Sequence, residues 1–190
     1  MRGLCAIKSE DFFVTMKYFE LFAIPVQFDV DLNTVNARYL ELQKILHPDR
    51  HASLGAQQQL LAVQKTAELN DALQVIKQPL KRAEYMLAEK HIDIRAEQQT
   101  LQDPEFLMQQ MELREELSEI SDAADPEAAI AQFENHVKEL HQDYYAELKK
   151  HIDSDDQEQL KIAADIVRKL KFIYKLREEL ERIEDSLFDD

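Results

Sequence analysis

Two glycines, Gly3 and Gly55, are all that this 190-residue chain contains. Sheet folds lean on glycine at hairpin turns and bulges, where the backbone enters positive φ. A chain this poor in glycine has few places to turn a strand. Its apolar residues recur mostly at spacings of three and four, the period of a helix with one buried face. The expectation is an all-α protein. With 45% hydrophobic and 32% charged residues, the chain has enough apolar material for a core and enough charge to stay soluble.

Helix punctuation divides the chain. "MKYFELFAIP" predicts about two helical turns closed by Pro25. In "VDLNTVNARYLELQKILHPD", Asp31 is an N-cap candidate, and Leu32, Val35, Tyr39, Leu42 and Leu46 share one face. Pro48 ends that run, because a residue before proline is pushed out of the α region. A loop at Gly55 leads to a helix over 56–77, expected to bury Leu60, Val63, Ala67, Leu73 or Asn70, and Ile76. Pro79 opens another short helix. Residues 16–91 thus form a small helical module built on an antiparallel hairpin, and residues 92–103 read as a linker. Asp103-Pro104-Glu105 and Asp125-Pro126-Glu127 each combine an N-cap, a first-turn proline and an acid. Ser154 with Gln157 fits a capping box. Helices over 104–121, 126–151 and 155–187 follow, giving an antiparallel three-helix bundle over 104–190. Residues 1–15 precede a second methionine, Met16, and read as a loose extension.

Charge separates the two halves. Residues 16–91 carry nine acidic and nine basic side chains, whereas residues 92–190 carry 27 acidic and 12 basic. The acidic half repels phosphate backbones, so nucleic acid is not an expected partner. No stretch approaches the roughly 20 apolar residues of a membrane span, so no membrane partner is expected either. A lone Cys5 closes no intrachain disulfide. With no signal peptide recognised, the expected location is the cytoplasm. Nothing points to an obligate oligomer, and a monomer is expected.

Two features stand out. The first is His47-Pro48-Asp49. Pro48 stiffens the chain where it leaves the helix, His47 is held extended, and Asp49 offers a carboxylate suited to a partner's arginine fork. An acid–base reading of His47 and Asp49 lacks a nucleophile motif or glycine-rich phosphate loop. A metal reading from His47 and His51 lacks a third ligand, and His136 and His141 do not share a face. No catalytic residue, cofactor or metal is assigned.

The second is "FLMQQMELREELSEI". At about 100° per residue, Phe106, Leu113, Leu117 and Ile120 form a sufficient core face. Leu107, Met111 and Met108 fall roughly 100° to 200° away, with Glu115, Glu119 and Glu112 beside them. Surplus apolar residues rimmed by acids suit a protein-binding patch, and methionine suits an adaptable one.

A helix, His47-Pro48-Asp49 and a second helix resemble the J-domain, the DnaJ-type activator of heat-shock chaperones. "YFELFAIP", "RAEYML" and "FLMQQMELREELSEI" extend the resemblance from about Met16 to the C-terminus. They make the chain similar to the HscB-type co-chaperones of iron–sulfur cluster assembly. That resemblance implies a J-domain that docks on an HscA-type chaperone through His47, Pro48 and Asp49, with Arg38 and Lys44 on the preceding helix, and stimulates its ATP hydrolysis. It implies that the C-terminal bundle binds an IscU-type scaffold through Leu107, Met108, Met111, Glu112, Glu115 and Glu119. By the motif "VRKLKFIYKL" it adds Phe172, which lies roughly opposite Leu170 on its helix and so off the core stripe. The chain departs from family members that carry an N-terminal zinc module of paired cysteines, since Cys5 stands alone. It also departs from J-domains with a dense basic run before the tripeptide. A J-domain serving another client, and a purely structural helical protein, are the alternatives.

Overall fold

The computed structural model describes residues 17–46, 55–94 and 103–188. Seven α-helices lie in these segments: α1 (Lys17–Leu21), α2 (Leu32–Leu46), α3 (Ala56–Lys77), α4 (Pro79–Glu89), α5 (Pro104–Glu119), α6 (Pro126–His151) and α7 (Gln157–Phe188). A 3₁₀ turn over Ile120–Asp122 closes α5. No strand occurs among the described residues.

The helix starts follow local chemistry. Asp31 accepts hydrogen bonds from the Asn33 N–H at 3.0 Å and the Thr34 hydroxyl at 2.5 Å, satisfying groups at the start of α2. Asp103 accepts from the Phe106 N–H at 3.0 Å, and Asp125 from the Ala128 N–H at 3.1 Å. Pro104 and Pro126 occupy the first helical turn, where a missing N–H costs nothing. The last helix departs from expectation. Ser154 accepts from the Asp156 N–H, and Asp156 in turn accepts from the Glu158 N–H. Asp156 is therefore the cap, and the expected Ser154–Gln157 capping box does not form.

α3 also differs. It buries Ala62, Leu69, Ala72 and Ile76, with Leu73 half-buried, while Leu60, Val63 and Ala67 are exposed. Both sets recur at helical spacing, so periodicity alone does not select between them. Packing does: α1 and α2 lie against the Leu69 side of the helix.

α2 and α3 form an antiparallel hairpin. The Tyr39 hydroxyl donates to Asn70 at 3.0 Å, and the Thr66 hydroxyl donates to the Leu46 carbonyl at 3.3 Å. The hairpin core continues directly into the bundle. Phe19, Phe22, Phe28, Val35, Leu69, Ile76, Met86 and Leu87 are buried in one cluster with Leu148, Ile152, Leu160, Ala163, Val167 and Leu170. A second cluster gathers Phe106, Leu113, Leu117, Ile120, Phe133, Val137, Ile173 and Leu176. The first part of α7 thus packs on α4, within the hairpin's cluster, and the later part packs on α5 and α6. At 1.5 Å per residue a helix of 32 residues spans about 48 Å, long enough to serve both cores. Ile92 and Ile94, in the expected linker, pack against the first cluster.

Polar contacts reinforce this junction. The Phe28 N–H donates to Asp153 at 2.7 Å, Lys149 pairs with Asp29 at 2.9 Å, and Lys171 pairs with Glu84 at 2.8 Å. Lys90 donates to the Ser154 carbonyl at 2.6 Å and pairs with Asp155. At the centre lies Arg82, only 4% exposed. Its guanidinium donates to the Ile76 carbonyl and sits 5.1 Å from the centroid of Phe28, which packs on Tyr145.

Candidate functional site

The first candidate surface is the hairpin. His47, Pro48 and Asp49 lie outside the described residues, as does His51. Arg38 and Lys44 are on the described α2. Arg38 pairs with Glu41 at 2.9 Å, one turn on. This neutralises part of the sparse positive charge on the helix. Lys44 is exposed, one turn from the exposed Leu40. Leu60 and Val63 are exposed at the start of α3. Among the described residues, this end of the hairpin therefore exposes Leu40, Leu60 and Val63 beside Lys44.

The second candidate surface is α5. Its inward face is the expected one, with Phe106, Leu113, Leu117 and Ile120 all buried. Leu107 is 39% exposed, Met108 63% and Met111 66%. Glu112, Glu115 and Glu119 are exposed beside them. The structure therefore places six of the seven expected bundle residues on one open strip. Phe172 is different. It is only 7% exposed and meets Phe106 edge-on, with ring centroids 5.9 Å apart. The sequence expectation of an aromatic turned away from the core is corrected. α7 is enclosed on more than one side, so a residue off the Leu170 stripe is still covered, by α5. The Arg114 guanidinium lies 5.7 Å from the Phe172 ring centroid, so Phe172 is a platform beneath the strip.

Neighbouring groups hold the strip in place. Lys169 pairs with the capping carboxylate of Asp103 at 3.0 Å and lies over the Phe106 and Tyr144 rings. The Phe106 N–H bond and Lys169 keep the Asp103 pKa below its usual value, so this cap is ionised near neutrality. The Tyr144 hydroxyl donates to Gln109. His136 meets Glu116 at 3.0 Å. Arg82, Arg114 and Lys169 were not legible as site residues, because their roles come from partners far away in sequence.

Among the described residues, no group of His, Cys, Asp and Glu is placed to hold a metal ion. Among those residues, no helix is long and apolar enough to cross a membrane.

Comparison with known proteins matches this architecture. The family described as "HSCB C-terminal oligomerisation domain" matches residues 102–181. The chain is 53% identical over 174 residues to the co-chaperone protein HscB homolog of Photobacterium profundum, covering 92% of this chain and all of that one. It is 49% identical to the HscB homolog of Vibrio campbellii, over 90% of this chain and 99% of the relative. The solved chaperone HscB from Vibrio cholerae superposes with a TM-score of 0.84 at 48% identity, covering 90% of this chain and all of that one. The human co-chaperone HscB superposes with a TM-score of 0.79 at 25% identity, covering 96% and 95%. Fold and relatives together define a co-chaperone with an N-terminal J-domain and a C-terminal helical domain. The chain belongs to the HscB family of such co-chaperones.

Proposed function

We propose that the protein is an adaptor that couples an ATP-dependent chaperone to an iron–sulfur scaffold. In this reading His47, Pro48 and Asp49 engage an HscA-type chaperone and stimulate its ATP hydrolysis, with Arg38 and Lys44 at the edge of the contact. The strip of Leu107, Met108 and Met111, rimmed by Glu112, Glu115 and Glu119, binds an IscU-type scaffold and delivers it. The adaptor works in the cytoplasm and performs no covalent chemistry of its own.

The observation that supports this most is the open strip on α5. Exposed methionines and a leucine on a helix whose other face already fills a core have no folding purpose, and a strip of this kind is a protein-docking surface. Membership of the HscB family supports the chaperone half.

Single-turnover ATP hydrolysis by the purified chaperone, with and without scaffold, tests both halves. The wild-type chain accelerates hydrolysis, and scaffold adds to that acceleration. Asp49→Asn and His47→Gln abolish the acceleration while leaving the helical circular-dichroism spectrum unchanged. Unchanged stimulation by either variant rules out the chaperone assignment. Stimulation without any scaffold binding points to a different client.

A further inference from the structure

Two cavities flank the α5 strip, and they are opposite in charge. Along the α6 side a cavity of about 420 Å³ is lined by Glu105, Met108, Glu112, Tyr144 and Lys169. Lys169 is already matched by Asp103 and by two aromatic faces, so the free charge there is that of Glu105 and Glu112. Along the α7 side a groove of about 400 Å³ is lined by Arg114, Leu117, Ser118, Glu179, Arg182 and Ile183.

The groove is built with its cations held in place. Arg114 rests on the Phe172 ring, and the Arg182 Nε–H donates to the Glu178 carbonyl at 3.0 Å. Both side chains are exposed, and neither forms an ion pair among the described residues. Glu179 is the one acid among the lining residues. A positive groove is unexpected where residues 92–190 carry 27 acids against 12 bases. On the helical wheel, Arg114 lies at roughly 80° from Phe106 and Glu105 and Glu112 at roughly −100° and −120°. Leu107, Met111 and Met108 fill the arc between them.

Resting on the adaptor reading above, we infer that the IscU-type scaffold docks on α5 in one orientation. A scaffold carboxylate enters the Arg114–Arg182 groove, an apolar scaffold side chain covers Leu107 and Met111, and a scaffold lysine or arginine lies over Glu105 and Glu112. An arginine fork is suited to a planar carboxylate, and opposite charges at the two edges of an apolar contact fix its direction. Phe172 supports Arg114 from beneath.

The test is calorimetric titration of the full chain with apo-scaffold at low and high salt. Arg114→Glu and Arg182→Glu each weaken binding about tenfold at low salt, and the loss shrinks at high salt. Arg114→Lys keeps part of the affinity, and Glu112→Lys weakens binding as well. A scaffold with a uniformly basic face would instead bind both arginine reversals more tightly, which overturns the inference. If Leu107→Ala weakens binding and the arginine reversals do not, the orientation is wrong and the adaptor reading stands. If wild type does not bind scaffold at all, both fall. Arg114→Gln, which adds no acid to the bundle, repeats the test should either reversal alter the circular-dichroism spectrum.

Discussion

The backbone N–H of Phe28 donates to the carboxylate of Asp153 at 2.7 Å across 125 residues of chain. This one bond ties the segment entering α2 to the turn between α6 and α7. Apolar packing surrounds this bond, with Phe28 against Tyr145 and with Leu148 and Ile152 in the hairpin's cluster. The hairpin module and the bundle thereby share one packed core.

Asp153→Ala removes the acceptor from a partly buried N–H. A hydrogen bond to a charged group contributes about 1.5–3 kcal/mol, and the exposed position of Asp153 puts the expected loss near about 1.5 kcal/mol. Urea unfolding checks this: the midpoint falls, the slope stays that of wild type, and a single transition persists. A second transition would show that the modules unfold separately.

Arg82 is the buried charge of the junction. Burial lowers its pKa, while Tyr145, Asp29 and Asp153 oppose that shift. Arg82→Ala leaves a void beside Phe28 and strips the donor from the Ile76 carbonyl, costing about 3 kcal/mol. Arg82→Met refills most of the volume without a charge and costs less. The order of the two urea midpoints is the measurement. An alanine variant as stable as the methionine variant would remove packing from the account.

Leu107→Ala with Met111→Ala and, separately, Phe172→Ala distinguish surface from support. The first pair sits on the open strip and changes stability by no more than about 0.5 kcal/mol, yet weakens scaffold binding. Phe172→Ala empties a buried site against Phe106 and costs about 3 kcal/mol of stability. Any binding loss in that variant comes together with a lower thermal midpoint. Equal thermal midpoints for the two variants would place Phe172 on the surface after all.

His141 stacks on Tyr145 at 6.0 Å and meets Tyr174 edge-on at 5.6 Å. Burial, with Arg177 adding repulsion, lowers its pKa below the ordinary 6.5. The folded state therefore prefers the neutral ring. Above about pH 7 both states are neutral and the group contributes nothing. As pH falls through 6.5 the unfolded chain takes up the proton first, so stability drops until the lower folded pKa is reached. His151, whose pKa is raised by Glu147 and Gln159, works the other way, with a contribution present below 6.5 and lost at higher pH. The lowered carboxyls of Asp31 and Asp103 lose their contribution only as pH falls below the usual carboxylate value near 3.8. His141→Phe is expected to show a smaller fall in thermal midpoint between about pH 7 and 5.5 than wild type. Equal falls would mean that the ring titrates as if in water.

Local chemistry was legible wherever it sufficed. Asp31, Asp103 and Asp125 cap helices because a short carboxylate reaches the next turn whatever else surrounds it. Pro104 and Pro126 fall in the first turn for the same local reason. The strip of Leu107, Met108 and Met111 was readable because Phe106, Leu113, Leu117 and Ile120 already filled the inner face. α3 was misread because Leu60, Val63 and Ala67 repeat as regularly as Ala62, Leu69 and Ile76. Phe172 was misread because a wheel drawn from one stripe assumes one buried side.

The sequence by itself determined the all-α class, the start of most helices, and one helix with more apolar surface than its own packing uses. Each follows from interactions within four residues or from a single period. The tertiary structure alone decided that the hairpin and bundle share a core, that Arg82 sits at their junction, and that Phe172 carries Arg114 beneath the strip. Those relations join residues 54 to 125 positions apart. No local preference encodes them, and they exist only once α7 brings both cores onto one helix.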